Sequence, residues 1–447
     1  MTEISRLTRG IRAGIDSDPA HGAIVPPLHL SSNYSFAGFD EPRRYDYTRS
    51  GNPTRDVLAE ALSTLEGGAG AVITATGMGA IALCVNALLC PGDTIVIPHD
   101  CYGGSWRLFD TLSRRGQFQL VTVDFGDSAA VRAALRSPTA PKVVWLETPS
   151  NPLLRITDIQ AVTTAAHQVG ATVVADNTFL SPILQRPLEF GVDLVVHSTT
   201  KYINGHSDVV GGAVIAASEE LHQQIDWWSN VLGLTGSPFD SYLTVRGVRT
   251  LHTRIRAHQE NAHAVVEAVV GHPAVATVHY PGLKDHPGHR IAVRQQGGFG
   301  AMLSIDLAGG EAAVRAFLQS LRCFSLAESL GGIESLIAHP ATMTHASMTP
   351  HARAVAGIGD GLLRVSVGIE AAEDLVADLL DALDRAHRAT VETTTAPTKS
   401  AAGTAPAERA AHPAPADRVA DSDDTGGIGR GRVPERHAHP AVLVRAR

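Results

Sequence analysis

The stretch Asp193-Leu194-Val195-Val196-His197-Ser198-Thr199-Thr200-Lys201-Tyr202-Ile203-Asn204-Gly205-His206-Ser207 decides how the rest of this chain is read. Leu194, Val195 and Val196 form a short apolar run with β-branched members, the pattern of a strand buried on both faces of a parallel sheet. The run gives way to the hydroxyls of Ser198, Thr199 and Thr200, then to Lys201 and an Asn204-Gly205 turn signal. Open α/β sheets bind ligands beyond the carboxyl ends of their strands, so Lys201 stands where a phosphorylated cofactor would sit. A lysine partly withdrawn from water has a lowered pKa and can attack an aldehyde to form a Schiff base.

Working outward, Ala71-Val72-Ile73, Ile95-Val96-Ile97, Val143–Leu146 and Thr172–Ala175 repeat the strand pattern. Helical patterns at Leu58–Leu65, Gly79–Leu89 and Ile159–Val169 lie between them. Strands spaced by helices imply right-handed crossovers and a mostly parallel sheet covered on both faces. The fold class is therefore α/β, with a large domain over 61–245. From 246 to 390, longer helical patterns (Thr253–Val270, Ala371–His387) and strand-like runs at Met302–Ile305 and Leu363–Val367 predict a smaller C-terminal α+β domain.

Residues 1–60 are polar and interrupted by Pro26-Pro27, Pro42 and Asn52-Pro53, which predicts an irregular arm. From 391 to 447 the chain turns to Ala, Pro, Thr, Gly and Arg without Phe, Tyr or Trp, and a disordered tail is expected. His437 and His439 in that tail lack a third ligand at useful spacing, so no metal is expected there.

The 447 residues are 44% hydrophobic, normal for a globular chain with a sizeable core. A net charge of -8, from 37 basic and 45 acidic residues, argues against nucleic acid as a partner. The first ten residues lack the apolar core of a secretory signal and no run is long enough to span a bilayer, so a cytosolic location and no membrane contact are expected. Cys84, Cys90, Cys101 and Cys323 have neither metal-ligand spacing nor disulfide density and read as reduced thiols.

Several other residues carry chemistry. Asp176 ends the Val173-Val174-Ala175 strand, one helix and one strand before Lys201, so a parallel sheet brings both to one edge. Its carboxylate could hold a pyridinium nitrogen protonated and make that ring an electron sink, or simply cap a turn. Thr76-Gly77-Met78-Gly79 joins a strand to a helix and lets backbone N–H groups approach a phosphate. Gly68-Ala69-Gly70 lacks the spacing of a dinucleotide fingerprint, which sets a nicotinamide aside. Tyr102, between Cys101 and Gly103-Gly104, could stack on a ring or fill the core. Arg364 inside the apolar run Leu363–Val367 needs a partner, either a substrate carboxylate or an internal salt bridge. Tyr45–Arg55 concentrates aromatic, acidic and basic side chains within the arm.

These motifs resemble the pyridoxal-phosphate enzymes of cysteine and methionine metabolism. The resemblance rests on Asp193–Ser207, Tyr47–Thr54, Thr76-Gly77-Met78, Cys101–Gly104, Glu147–Pro152 and Ala327–Gly332, and covers roughly Thr8 to His387. It implies a fold-type I transferase with pyridoxal 5'-phosphate as cofactor. Lys201 would bond the cofactor, Asp176 would pair with its ring nitrogen and Tyr102 would stack on it. Gly77, Met78, Ser198 and Thr200 would hold the phosphate, with Tyr47 and Arg49 reaching in from a neighbouring subunit. Tyr102 or Tyr47 could also handle a thiol proton. Arg364, Ser329 and Asn151 would hold the substrate α-carboxylate, while Asp46, Arg107 and Glu328 are candidates for the far end of the substrate and the incoming amino acid. A site shared between chains implies at least a dimer, and the resemblance implies a homotetramer built as a dimer of dimers. Leu336–Ala346 and Trp227-Trp228 are similar to the branch that joins an O-acylhomoserine to L-cysteine in methionine biosynthesis. Sister activities, γ-elimination and sulfhydrylation, would use nearly the same residues. Arg107 suggests a carboxylate on the leaving group, hence the succinyl ester.

Overall fold

The apolar runs read from the sequence are strands, and their carboxyl ends meet at one edge of a sheet. The computed structural model describes residues 4–395 apart from Pro138, Ser320 and Ser347. Seven strands form the first sheet: β1 (Gly70–Thr74), β2 (Thr94–Pro98), β3 (Gln119–Val123), β4 (Val143–Glu147), β5 (Thr172–Asp176), β6 (Leu194–Ser198) and β7 (Gly212–Ala216). Their order is β1-β7-β6-β5-β4-β2-β3; β7 is antiparallel to both neighbours and the other pairs are parallel. The mostly parallel α/β architecture expected from the sequence is what forms.

Every residue of β1, β2, β4 and β7 is buried, because helices cover both faces. On one face Trp145 meets Phe109 edge to face, with ring centroids 5.3 Å apart. On the other, Leu58, Ala61, Leu62 and Leu65 of the helix Pro53–Glu66 pack against Ile73, Val195 and Ile215.

That helix corrects the expectation of an irregular arm over 1–60, as does a short helix at Arg6–Ile11. Asn52-Pro53 starts a helix here instead of blocking one. Asn52 Oδ1 accepts from Thr54 N and Arg55 N at 2.9 and 3.2 Å, and proline suits the first helical position, where its missing N–H has no partner to lose.

A second sheet holds β8 (Val275–His279), β9 (Met302–Leu307), β10 (Ser325–Leu326), β11 (Leu336–Ala338) and β12 (Leu362–Ser366), in the order β10-β11-β12-β9-β8. The helices Leu251–Val269 and Ala372–Thr395 pack on it. Leu375, Leu379, Ala382, Leu383 and Ala386 give the second helix one buried stripe at helical spacing. This helix passes residue 391, where the tail was expected to begin, because no glycine or proline interrupts it before Pro397. The rest of the expected tail, 396–447 with His437 and His439, lies outside the described residues. Among the described residues no helix is long and apolar enough to cross a membrane, and no group of three side chains could hold a metal ion.

Candidate active site

At the shared edge, Glu147, Asp176 and Ser198 are the last residues of three adjacent parallel strands. β1 runs in the same direction, since β7 is antiparallel to both β1 and β6, and it delivers Thr76 and Gly77 to the same edge. Arg364 enters from β12 of the second sheet. Between them lies a cavity of about 880 Å³.

The structure brings together most of the sequence-predicted residues. Lys201, Asp176, Tyr102, Gly77, Met78, Ser198, Thr200, Arg364, Ser329, Asn151, Glu328 and Arg107 all line the cavity. Asp46, Tyr47 and Arg49 do not. Asp46 Oδ1 accepts from Tyr47 N at 2.5 Å, Tyr47 is exposed, and Arg49 Nε donates to Asn230 Oδ1 at 2.9 Å.

Lys201 sits in the turn after β6. Its Nζ donates to Ser329 Oγ at 2.7 Å. Burial, then the nearby Arg364 cation, lowers its pKa to about 8. Arg364 is itself buried, held by Asn151 Oδ1 at 3.1 Å and the Ser329 carbonyl at 2.8 Å. These partners are neutral oxygens rather than the internal salt bridge considered above, and among the described residues Arg364 Nε has no hydrogen-bond partner. Burial lowers its pKa to about 10.

Asp176 Oδ1 accepts from Thr178 N at 2.9 Å, so it forms the local turn while its carboxylate lines the cavity. Burial raises its pKa; the Thr178 hydrogen bonds and the cationic forms of His197 and Lys201 oppose that rise. Tyr102 is not on the strand itself. β2 ends at Pro98, and Tyr102 is the residue before the helix Gly103–Arg114, at 39% exposure. Its phenol is pushed upward by burial and then by Glu328.

Gly77 opens the helix Gly77–Leu88, with Thr76 Oγ1 capping Gly79 N at 2.8 Å. A Cβ at Gly77 would lie 2.8 Å from that of Ser198, so glycine lets the helix start approach the end of β6.

Three features of the site were given no role by the sequence reading, although Glu147 and Met343–Ala346 lie in stretches that carry the resemblance. Glu147 is buried, and its carboxylate accepts from Tyr102 N at 2.8 Å and Asn151 N at 3.2 Å. Burial and the neighbouring Asp176 push its pKa well up. Its place at the end of an apolar strand, like that of Asp176, was the available signal. Thr178 follows Asp176 too closely to stand out. Met343, Thr344 and Ala346 close one wall, where His345 Nε2 donates to the Asn151 carbonyl at 3.0 Å. Burial lowers the His345 pKa to about 4, which leaves the ring neutral.

The chain is similar to known proteins along most of its length. The cystathionine gamma-synthase of Escherichia coli (strain K12) is 56% identical over 374 residues, covering 84% of this chain and 96% of that protein. Solved structures of cystathionine gamma synthase from Xanthomonas oryzae pv. oryzae, one in complex with aminoacrylate and cysteine and one in complex with cystathionine, are 64% and 65% identical. Both have a TM-score of 0.85 and cover 87% of this chain and 100% of theirs. The cystathionine beta-lyase of Lactococcus lactis subsp. cremoris (strain MG1363) is 43% identical, over 86% of this chain and 100% of its own. The sequence profile of the Cys/Met metabolism PLP-dependent enzymes matches residues 7–384, and the chain belongs to that family.

Proposed function

We propose that this chain catalyses γ-replacement, joining an O-acylhomoserine, with the succinyl ester favoured, to L-cysteine to give L-cystathionine and the free acid. The reaction would serve methionine biosynthesis by trans-sulfuration. One observation carries the reading: Ser329 bonds the half-buried Lys201 amine through its hydroxyl and the buried Arg364 guanidinium through its carbonyl. A proton acceptor and a carboxylate holder are thereby fixed on one residue.

The residues fit pyridoxal phosphate. Gly77 and Ser198 form a cradle that a Cβ would fill, at the positive end of a helix. A half-buried amine of lowered pKa suits an aldehyde, and a half-buried carboxylate suits a ring nitrogen. When bound, the cofactor supplies an electron sink for charge that develops on the substrate carbons.

Each side chain has a task on this reading. Lys201 bonds the cofactor, and once released its Nζ takes the substrate Cα proton and moves a Cβ proton. Asp176 pairs with the ring nitrogen and Tyr102 stacks on the ring. Gly77, Met78, Ser198 and Thr200 hold the phosphate. Arg364, with Asn151 and Ser329, binds the α-carboxylate through its planar fork. Arg107 and Glu328, both exposed on the cavity wall, meet the leaving group and the incoming cysteine. Asp46, Tyr47 and Arg49 complete the site of a neighbouring subunit, in a homotetramer of paired dimers located in the cytoplasm. Residues 61–245 act as the cofactor-binding domain and 246–390 as the smaller domain.

The second reading is cystathionine γ-lyase or O-acylhomoserine sulfhydrylase activity, since the same Lys201, Ser329 and Arg364 set serves elimination. Steady-state turnover with O-succinyl- and O-acetylhomoserine, with and without L-cysteine, separates them. Cystathionine as the main product with cysteine present is the expected result. Conversion of cystathionine to cysteine and 2-oxobutanoate, with neither ester reacting, would overturn it.

A further inference from the structure

His345 is a fully buried side chain to which the roles above give no part. It sits behind the wall formed by Met343, Thr344 and Ala346, and both of its ring nitrogens are engaged. Nε2 lies 3.0 Å from the Asn151 carbonyl, and Nδ1 lies 2.9 Å from Thr344 Oγ1. A carbonyl can only accept, so a proton is fixed on Nε2. Burial, then the nearby Arg364 cation, keeps the ring neutral; that proton is therefore its only one, and Nδ1 accepts from the threonine hydroxyl.

Asn151 is where this contact leads. It is 2% exposed in the loop after β4, and side chains of other segments hold its backbone on both sides. Glu147 Oε1 accepts from its N–H at 3.2 Å, and His345 Nε2 donates to its carbonyl. With the main chain held in this way, its side-chain Oδ1 accepts from Arg364 Nη1 at 3.1 Å. The next carbonyl, that of Pro152, accepts from Ser304 Oγ at 2.7 Å. Ser304 of β9 stands in register with Arg364 of β12, and Ala338, at the end of β11 on the way to His345, stands in register with Arg364 on its other side. Asn151-Pro152 is therefore tied to three neighbouring segments of the second sheet, with Arg364 in the middle. A planar guanidinium binds a carboxylate through two parallel hydrogen bonds only when its fork is correctly turned, and Asn151 Oδ1 holds one arm of that fork. Glu147 also bonds Tyr102 N, so its loss would disturb two parts of the site; His345 reaches the site through Asn151.

We infer that His345 is a positioning residue for binding of the substrate α-carboxylate: its Nε2–H holds the Asn151 carbonyl, and Asn151 so held turns the Arg364 guanidinium toward the cavity. This rests on the reading of Arg364 given above. Replacing His345 with a side chain that cannot donate frees the Asn151 peptide, and the Oδ1 contact to Arg364 loses its fixed direction.

The test compares holoenzymes of wild type, H345L, H345N, H345Q, N151A, the double variant H345L/N151A and R364K. Each is assayed by steady-state kinetics with O-succinylhomoserine and L-cysteine and by titrating the cofactor absorbance with glycine. Glycine carries the α-carboxylate and needs no turnover, so this arm reads the inference whatever reaction the enzyme performs. Glutamine places an amide nitrogen where histidine carries Nε2, whereas asparagine reaches only as far as Nδ1. H345L and H345N are expected to raise KM for the ester and Kd for glycine about tenfold, with kcat and cofactor content within about twofold of wild type. H345Q should restore both constants to within about threefold of wild type. The two polar variants, alike in chemistry and different in reach, guard against H345L failing to fold. The double variant should bind glycine no more weakly than N151A, because His345 acts through that residue. Wild-type constants in H345L or H345N, or effects of H345L and N151A that multiply in the double variant, would overturn the inference alone. R364K with both constants within threefold of wild type would overturn the carboxylate reading and this inference with it.

Discussion

Lys201 Nζ donates a 2.7 Å hydrogen bond to Ser329 Oγ, joining the turn after β6 to a loop of the second sheet 128 residues away. Ser329 holds φ at 79°, a left-handed conformation uncommon for a residue with a side chain. That backbone aims its hydroxyl at Lys201 and its carbonyl at Arg364. Ser329→Ala keeps the backbone and removes the amine's anchor, and kcat is expected to fall about tenfold with the cofactor still bound. Ser329→Gly removes the same hydroxyl while relieving the backbone, so it should lose the same activity. Steady-state kinetics on both variants is the check, and S329A retaining more than about half of kcat would remove the hydrogen bond from the mechanism.

Arg364→Lys tests the carboxylate holder. The buried guanidinium is met only partly by Asn151 Oδ1 and the Ser329 carbonyl, and a lysine cannot reproduce its planar fork. Loss of a charge-assisted pair of about 2–3 kcal/mol predicts KM for the homoserine ester up by about 30- to 150-fold. Cofactor content should be unchanged. A KM within threefold of wild type would place the carboxylate elsewhere.

The Lys201 amine should set a pH limb. Only a neutral amine attacks an aldehyde, and burial with the Arg364 cation holds this one at about 8. Uptake of pyridoxal phosphate by the cofactor-free protein, followed by stopped-flow absorbance, should accelerate with pH through a limb near 8 and level off above it. Arg364→Met removes the cation and should move the limb upward, leaving the part due to burial. The stability sign follows: the folded value lies below the ordinary lysine value of 10.5, so the unfolded chain binds more protons between the two. Lys201 therefore destabilises the fold fully below about pH 8, and the effect fades as pH rises toward 10.5. A rate limb unmoved in R364M would show that burial alone sets the amine.

The strand ends that build this site were legible because short apolar runs must be buried, and polar residues ending them must face one edge. Asp176, Ser198 and Lys201 follow from that rule alone. Glu147 obeys it equally, but its partners are backbone N–H groups of Tyr102 and Asn151, which no side-chain pattern announces. The helix Pro53–Glu66 was read only over Leu58–Leu65, and its start at Pro53 was missed because proline reads as a breaker unless its capping residue, Asn52, is read with it. β7 was missed as well: it is antiparallel in a sheet whose other neighbours are parallel, and its lead-in Gly211-Gly212 resembles a loop. The wall at Met343–Ala346 has no periodicity, and its place depends on tertiary bonds such as His345 to the Asn151 carbonyl.

Gly205 bears on the same lysine from the other side of its turn. Its φ is 73°, its N–H donates to the Lys201 carbonyl at 2.8 Å, and its own carbonyl accepts from Ile333 N at 3.0 Å. A Cβ there would fall on Arg254 Nη1. Arg254 cannot easily retreat: it is buried, and its guanidinium donates to the carbonyls of Tyr202 at 2.8 Å, Ile203 at 3.3 Å and Gly247 at 2.8 Å. Gly205→Ala adds a left-handed backbone penalty of about 1 kcal/mol and disrupts a buried, charged hydrogen-bond set, for a total loss of about 3–5 kcal/mol. Urea unfolding should show a lower midpoint at unchanged slope, and the variant should retain less cofactor because the turn carrying Lys201 shifts. Gly205→Asn separates the two causes. Asparagine tolerates a positive φ but carries the same Cβ, so G205N should be no more stable than G205A; a clearly more stable G205N would assign the loss to φ and free Arg254 of its part.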